Sequence, residues 1–170
     1  IAPLIQSFKD KIRLNSPVLN IIRHSSKIEI ITHIGSDFYD EVVIACHSDQ
    51  ALAILSDASL GEQAILGAIK YQKNDVVMHT DTRLLPRRKA TWSSWNYMLQ
   101  SNTQHPPILT YSMNILQGIK SDVEFCVTLN ATNKIDPQKI LGQYEYAHPV
   151  FSQAAMQAQE KWENINGVNR

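Results

Sequence analysis

Three stretches of the chain concentrate side chains that can bind a ligand or move a proton. They are His79-Thr80-Asp81, Trp92-Ser93-Ser94-Trp95-Asn96-Tyr97 and Tyr111-Ser112-Met113-Asn114-Ile115-Leu116-Gln117. All three fall in strand-like sequence. A sheet face carrying Trp, Tyr, Asn and His together is costly to bury for stability alone, because each polar edge needs a partner once water is removed. Such a face suits a small-molecule cavity, where aromatic walls supply area and a few polar groups set orientation. Trp95, Asn96, Tyr111, Asn114 and His148 are therefore the leading candidates for cavity lining, with Trp92, His79 and Gln117 behind them. His148 joins the set because Pro149 holds it in extended backbone just after Tyr144-Glu145-Tyr146. The competing account makes Trp92, Trp95, Tyr97 and Tyr111 ordinary core aromatics and His148 a surface or internally satisfied histidine.

Other groupings carry weaker chemistry. His79 and Asp81 are two apart on a predicted strand and share a face, which would suit an acid/base pair or two metal ligands. No further ligands lie nearby in sequence, so no metal site is expected, and a structural role is the general expectation for such a pair. Cys46-His47-Ser48-Asp49 sets a nucleophile beside a base, but neighbours on a strand point to opposite faces and cannot easily share a proton. The basic run Arg83, Arg87, Arg88, Lys89 around Leu84-Leu85-Pro86 could cradle a phosphate. A solvated loop is the favoured account of it.

The elements that must position these residues are legible as patterns. Pro17 to Ile22 and Ile28 to Ile34 are β-branched runs separated by His24-Ser25-Ser26-Lys27, a hairpin signal. Gly35-Ser36-Asp37 then reads as a turn into a buried third strand over Glu41-Val42-Val43-Ile44-Ala45-Cys46. Ser48 and Asp49 start a helix over Gln50 to Leu55. Ser59-Leu60-Gly61-Glu62 is a capping box opening a helix that should reach about Tyr71. Five strands follow, over Val76 to Thr80, Thr91 to Leu99, Ile108 to Leu116, Phe125 to Leu129 and Ile140 to Tyr146, and short connections favour an antiparallel meander. Ser152 caps a closing helix, with Phe151 and Met156 as a hydrophobic staple, Ala155, Ala158, Trp162 and Ile165 as its apolar stripe, and Asn166-Gly167 as its end. The likeliest internal boundary lies near Gln72 to Asn74.

Composition narrows the classes. Sixteen basic and sixteen acidic residues give zero formal net charge, so no global field recruits nucleic acid or an anionic membrane. Although 44% of residues are hydrophobic, no run approaches the roughly 18 apolar residues of a spanning helix. Cys46 and Cys126 sit far apart in apolar runs and are expected to be reduced core residues, without a disulfide. The chain opens at Ile1 rather than Met and is expected to be a piece of a longer protein.

Taken as a set, several motifs resemble flavin-containing oxidoreductases of the amine-oxidase type. These are Phe38-Tyr39-Asp40-Glu41-Val42-Val43-Ile44-Ala45 with Asp49-Gln50-Ala51-Leu52, His79-Thr80-Asp81, Leu85-Pro86, the Trp92 to Tyr97 and Tyr111 to Gln117 stretches, Val127-Thr128-Leu129-Asn130 and His148-Pro149-Val150-Phe151. The branch they are most similar to is the predicted NAD(P)/FAD-dependent oxidoreductases of bacteria, often associated with fatty-acid cyclopropanation genes. The resemblance implies a parent with a Rossmann-like FAD domain and a sheet-based substrate domain facing the flavin. In that frame Ile12 to Ile44 looks like a returning piece of the FAD domain, and Val18, after Pro17, is similar to the valine whose backbone meets the adenine. No Gly-x-Gly-x-x-Gly occurs, so the turn that holds a pyrophosphate at a helix N-terminus is absent.

The expected fold is therefore α+β: an antiparallel or mixed sheet meander packed with helices, preceded by a β-hairpin and a buried strand. Residues 1–50 are assigned to a returning part of an FAD-binding domain, 51–150 to substrate domain and 151–170 to a helix leading back. The expected function is to position a small organic substrate against the flavin for hydride transfer, with FAD held by the parent and none by this segment alone. Expected partners are that substrate and the remainder of the parent polypeptide, in the cytoplasm and without a membrane span. The alternative is a non-catalytic ligand-binding or interaction domain using the same aromatic face.

Overall fold

The computed structural model describes residues 2–99 and 108–168. The fold is α+β, with two antiparallel sheets of three and five strands and five short helices among the described residues. It divides into two compact units, residues 1–70 with 149–170, and residues 71–148.

In the first unit a short helix, α1 (Ala2–Ile5), precedes the expected hairpin. β1 (Val18–Arg23) and β2 (Ile28–Thr32) pair antiparallel, and the polar turn closes with the His24 N–H donating to the Lys27 carbonyl at 2.8 Å. The chain then turns through His33 and Ile34 straight into β3 (Gly35–Tyr39), so Thr32 faces Gly35 and Ile28 faces Tyr39. This corrects the sequence expectation of a turn at Gly35-Ser36-Asp37 and a buried strand over 41–46. Those residues are irregular chain, and Val43 is 92% exposed. The run has strand composition, but a strand also needs a neighbour for its backbone groups, and β3 takes the edge of β2 before the run begins. Cys46, expected in the core, is consequently exposed.

α2 (Ser48–Ile54) and α3 (Leu60–Ala68) follow, and α3 packs on both α2 and α5 (Gln153–Gln159). His47 is the N-cap of α2, its N–H bound by Gln50 Oε1 at 3.3 Å. The α3 capping box forms as the sequence predicts: Ser59 Oγ accepts the Glu62 N–H at 3.2 Å, and Glu62 Oε2 accepts the Ser59 N–H at 2.7 Å. α3 stops at Ala68 because Tyr71 already begins a strand. Ser152 caps α5 as expected, accepting the Ala155 N–H at 3.1 Å. The helix is shorter than its stripe suggested, ending at Gln159 before a 3₁₀ turn over Trp162–Asn164. Ala155 and Ala158 are buried, whereas Trp162 and both staple residues, Phe151 and Met156, are exposed.

One ionic cluster ties β1 to the start of α3. The Arg23 guanidinium forks onto Glu62, with Nη1 to Oε1 at 2.6 Å and Nη2 to Oε2 at 3.0 Å, while its Nε reaches Asp57 at 3.0 Å. Glu62 is buried, and the Arg23 hydrogen bonds lower its pKa from 4.5 to about 2 against the opposing cost of burial.

The second unit holds β4 (Tyr71–His79), β5 (Trp95–Met98), β6 (Ile108–Ser112), α4 (Met113–Gln117), β7 (Cys126–Leu129) and β8 (Ile140–Pro149). The strand order is β5-β6-β7-β4-β8. β5, β6 and β7 form the expected meander, but β4 inserts between β7 and β8 instead of lying at an edge. Its adjacent Val76 and Val77 are both buried, which an interior strand permits and an edge strand does not favour. Two strands are shorter than predicted. Lys89–Thr91 forms a 3₁₀ turn ahead of β5, and β6 gives way at Ser112 to α4, whose first turn Ser112 Oγ caps and which ends at Gly118 in left-handed backbone (φ 65°). β4 is longer, so the predicted boundary at 72–74 falls inside it. Val77, Leu84, Ile108, Ala131 and Ile135 form the core of this unit.

Two tests follow. Glu62 has a depressed pKa in the folded chain, so its contribution is present above pH 4.5 and is lost as pH falls toward 2. Linkage puts that loss at roughly 2–3 kcal/mol. Urea denaturation at pH 7 and pH 3 should show a smaller pH difference in Glu62→Gln than in the unaltered chain. The thiols should also separate: exposed Cys46 reacts at once with a thiol reagent in the native state, while Cys126, fully buried and with its pKa pushed by desolvation to about 12, reacts only after denaturation.

Candidate functional site

The register of the second sheet sorts its side chains onto two faces. One set of rows runs Trp95, Tyr111, Val127, Met78 and Tyr97, Leu109, Leu129, Val76. The other runs Asn96, Thr110, Thr128, Val77 and Ser112, Cys126, His79. Residues directly opposite in neighbouring strands point the same way, and those one apart along a strand point oppositely. The second set is buried throughout; in the first, Trp95, Tyr97 and Met78 are exposed, Tyr111, Leu109, Val127 and Leu129 are half-buried and Val76 is buried.

The closed face carries a connected polar ladder. His79 Nδ1 accepts the Asp81 backbone N–H at 3.0 Å, which leaves the ring proton on Nε2, and Nε2 donates to Thr128 Oγ1 at 2.7 Å. Thr128 and Thr110 hydroxyls meet at 2.9 Å, and Asn96 Nδ2 donates to the Thr110 carbonyl at 3.2 Å. Asn96 also donates to the Ser93 carbonyl at 2.6 Å and accepts the Ser93 N–H at 3.1 Å, so its amide is committed to backbone. Burial lowers the His79 pKa, which keeps the ring neutral.

His79 and Asp81 do not form an acid/base dyad. The Asp81 carboxylate instead accepts from Arg83 Nε at 2.9 Å and Nη2 at 2.5 Å and from the Asp136 N–H at 2.9 Å. The Arg83 fork holds it far below the usual carboxylate range. This also occupies one member of the basic run, and Lys89 Nζ lies 5.4 Å above the Trp92 ring. Among the described residues no group of three or more His, Cys, Asp and Glu gathers to hold a metal.

The open face is aromatic. Trp95 and Tyr97 are 63% and 60% exposed, and Trp95 meets Tyr111 edge to face at 5.6 Å between centroids. The face extends across β4 to β8. Asn74, Val76 and Met78 alternate along β4, and Asn74 Nδ2 contacts His148 Nδ1 at 3.1 Å, which puts His148 on the same side. Tyr146 and Tyr144, two and four residues before His148, share that side and stack with centroids 6.0 Å apart. Lys73 pairs with Glu145 on the other side at 2.8 Å. The open rows and their β8 extension thus contain no carboxylate, ammonium or guanidinium.

The structure therefore places three of the predicted residues, Trp95, Tyr111 and His148, on one face, with Trp95 and Tyr111 adjacent and His148 on the strand at the opposite edge, and assigns the rest elsewhere. His79 and Asn96 belong to the closed face. Asn114 lies on α4 rather than on a strand and clamps the following loop, donating to the Val123 carbonyl at 2.8 Å and accepting the Phe125 N–H at 3.0 Å. Gln117 is exposed at the end of α4. Trp92 precedes β5, with its indole N–H on the Pro86 carbonyl at 2.7 Å. Val18 opens β1 in the other unit. Tyr97 is weighed in the sequence with the other aromatics without being ranked as a site residue, and Met78, Tyr144 and Tyr146 are absent from the predicted set, although the two-residue spacing from His148 and along β4 could have supplied them.

No family model matches the chain, and no curated protein matches it. Among solved structures it is similar to a CLA-producing fatty acid isomerase from P. acnes, with 15% identity and a TM-score of 0.55 over 91% of this chain and 41% of that one. It is also similar to a candidate protoporphyrinogen oxidase from Exiguobacterium sp. 255-15, with 11% identity and a TM-score of 0.52 over 97% of this chain and 44% of that one. The chain spans less than half the length of either. At such identities the likeness is one of fold: this chain is built like part of each of two enzymes.

The two faces should respond differently to mutation. Trp95→Ala should cost less than about 1.5 kcal/mol of stability, against about 3–5 for a buried aromatic. Thr128→Val strands the His79 Nε2–H and should cost about 1–3 kcal/mol. Urea denaturation at pH 7 measures both.

Proposed function

We propose that this chain is the substrate-facing part of a flavin-dependent oxidoreductase, with the open face of the five-stranded sheet as its substrate wall. The observation that carries the proposal is that face, on which Trp95 and Tyr97 stand exposed and Tyr111 half-buried on paired strands, with no charged group among them. An aromatic surface without charge on an ordered sheet suits recognition of an apolar organic molecule. Two further observations support it: the fold is shared with parts of an isomerase and an oxidase, and the sequence motifs resemble amine-oxidase-type flavoenzymes.

The N-terminus of α3, the longest helix among the described residues, does not fit the cofactor's pyrophosphate. A phosphate would need free N–H groups at a helix N-terminus, and at α3 the Glu62 carboxylate already occupies that place, bound to the Ser59 N–H. In the proposed enzyme FAD is held by the remainder of a longer polypeptide and supplies the hydride-accepting chemistry. The work assigned to this chain is to bind and orient the substrate and to exclude water from one side of it.

The test uses the full reading frame. The expressed protein should carry a flavin absorption band. Trp95→Ala and Tyr111→Ala should leave flavin content nearly unchanged while slowing anaerobic bleaching by donor at least about tenfold, equivalent to about 1.4 kcal/mol. A full-length protein without flavin would instead favour the non-catalytic ligand-binding module.

A further inference from the structure

His148 is held differently from the other side chains of the open face. Its Nδ1 accepts a hydrogen bond from Asn74 Nδ2 at 3.1 Å. The orientation of the Asn74 amide is set independently at both ends. Its Nδ2 also donates to the Gln72 carbonyl at 3.1 Å, and its Oδ1 accepts from Asn130 Nδ2 at 2.9 Å. Asn74 is buried and therefore cannot trade these bonds for water. Asn130 follows β7 with φ 60°, a left-handed conformation that Asn tolerates better than other side chains, while its N–H bonds the Asp75 carbonyl at 2.9 Å.

A chain of two amides thus ends on one imidazole nitrogen. With Nδ1 acting as acceptor, the proton of the neutral ring sits on Nε2. The ring is exposed, and Nε2 has no hydrogen-bond partner among the described residues. The result is a donor at the β8 end of the face whose direction is fixed by two amides, whereas the remaining donors of the face are the committed Asn74 amide and the rotatable hydroxyls of Tyr97, Tyr111, Tyr144 and Tyr146.

We propose that His148 is the specificity-determining hydrogen-bond donor of this face, with Asn74 and Asn130 as its positioning residues. The ligand it selects is an amphiphile with an apolar body and a single acceptor group, a carboxylate or carbonyl oxygen. The apolar body lies beside His148, over Tyr146, Tyr144 and the neighbouring β4 side chains Val76 and Met78, and the acceptor oxygen takes the Nε2–H. This deepens the proposed function by naming the ligand class, and it rests on that face taking a ligand rather than on the flavin.

The experiment uses the 170-residue chain and two ten-carbon probes below their micellar concentrations, decanoate with an acceptor head and decyltrimethylammonium without one. Long-range proton–nitrogen correlation spectra, taken where the ring is neutral, should show His148 as the Nε2–H tautomer. Decanoate should shift that Nε2 resonance. His148→Asn places its amide where Nδ1 was and should weaken decanoate binding about tenfold or more. His148→Gln returns an N–H near the Nε2 position and should recover much of the loss. Binding of decyltrimethylammonium should be equal in all three.

Asn130→Gly keeps the positive φ accessible while removing the donor to Asn74, and it should blur the His148 tautomer preference with the circular dichroism spectrum unchanged. Equal decanoate affinity in His148→Asn, no binding of decanoate, or an unmoved Nε2 resonance overturns the donor assignment. An unchanged tautomer preference in Asn130→Gly overturns the positioning role. Failure of the flavoenzyme proposal is read separately, from the flavin content of the full-length protein.

Discussion

The hydrogen-bonded register of β5, β6, β7 and β4 is the constraint on which the candidate site depends. Side chains alternate along a strand, so sliding any of these strands by one residue would exchange its buried and open sets. The closed face opposes such a slip. Asn96, Thr110, Thr128 and His79 are polar, buried and satisfied by one another or by local backbone, and the cross-strand bonds among them would be lost in another register. Buried hydrogen bonds add little net stability when made, but leaving one unmade is expensive. Polar groups inside this unit thus specify which face is open more sharply than an apolar core of the same size could.

The same logic governs the two charged clusters. Arg23 with Glu62 and Asp57 joins the first sheet to the start of α3, and Asp81 with Arg83 and the Asp136 N–H gathers the loops beside the second sheet. In each, a buried carboxylate is stabilised by a guanidinium fork together with backbone donors. Carboxylates held so far below their usual pKa serve as anchors rather than proton carriers. On the open face the His148 ring is set by neutral amides instead of charge.

Chemistry and architecture separate cleanly in this sheet. The side chains that look most catalytic in sequence, His79 and Asp81, are spent on structure, while the surface suited to a ligand is assembled from residues that look like ordinary strand components. Tyr97 and Met78 acquire meaning only because Trp95 and Tyr111 lie in the same or the adjacent row. Tyr144 and Tyr146 join them only because β8 lies beside β4.

Local signals in the sequence determined local structure. The hairpin at 24–27, the Ser59–Glu62 capping box, the Ser152 cap and the existence of β4 to β8 follow from turn chemistry, side chain to backbone hydrogen bonds and two-residue alternation, all of which act over a few residues. The sequence also singled out Trp95, Tyr111 and His148, as aromatics in strand-like runs and a histidine before proline, but on the same footing as Asn96 and Asn114, which the fold places elsewhere. Tertiary structure alone decided the insertion of β4 between β7 and β8, the loss of the strand at 41–46, the exposure of Cys46, and the assignment of Asn96 and His79 to the closed face. Those outcomes depend on which strand offers an open edge and on which face another segment covers. Both are set by contacts between residues distant in the chain, for which alternation gives a period but no phase.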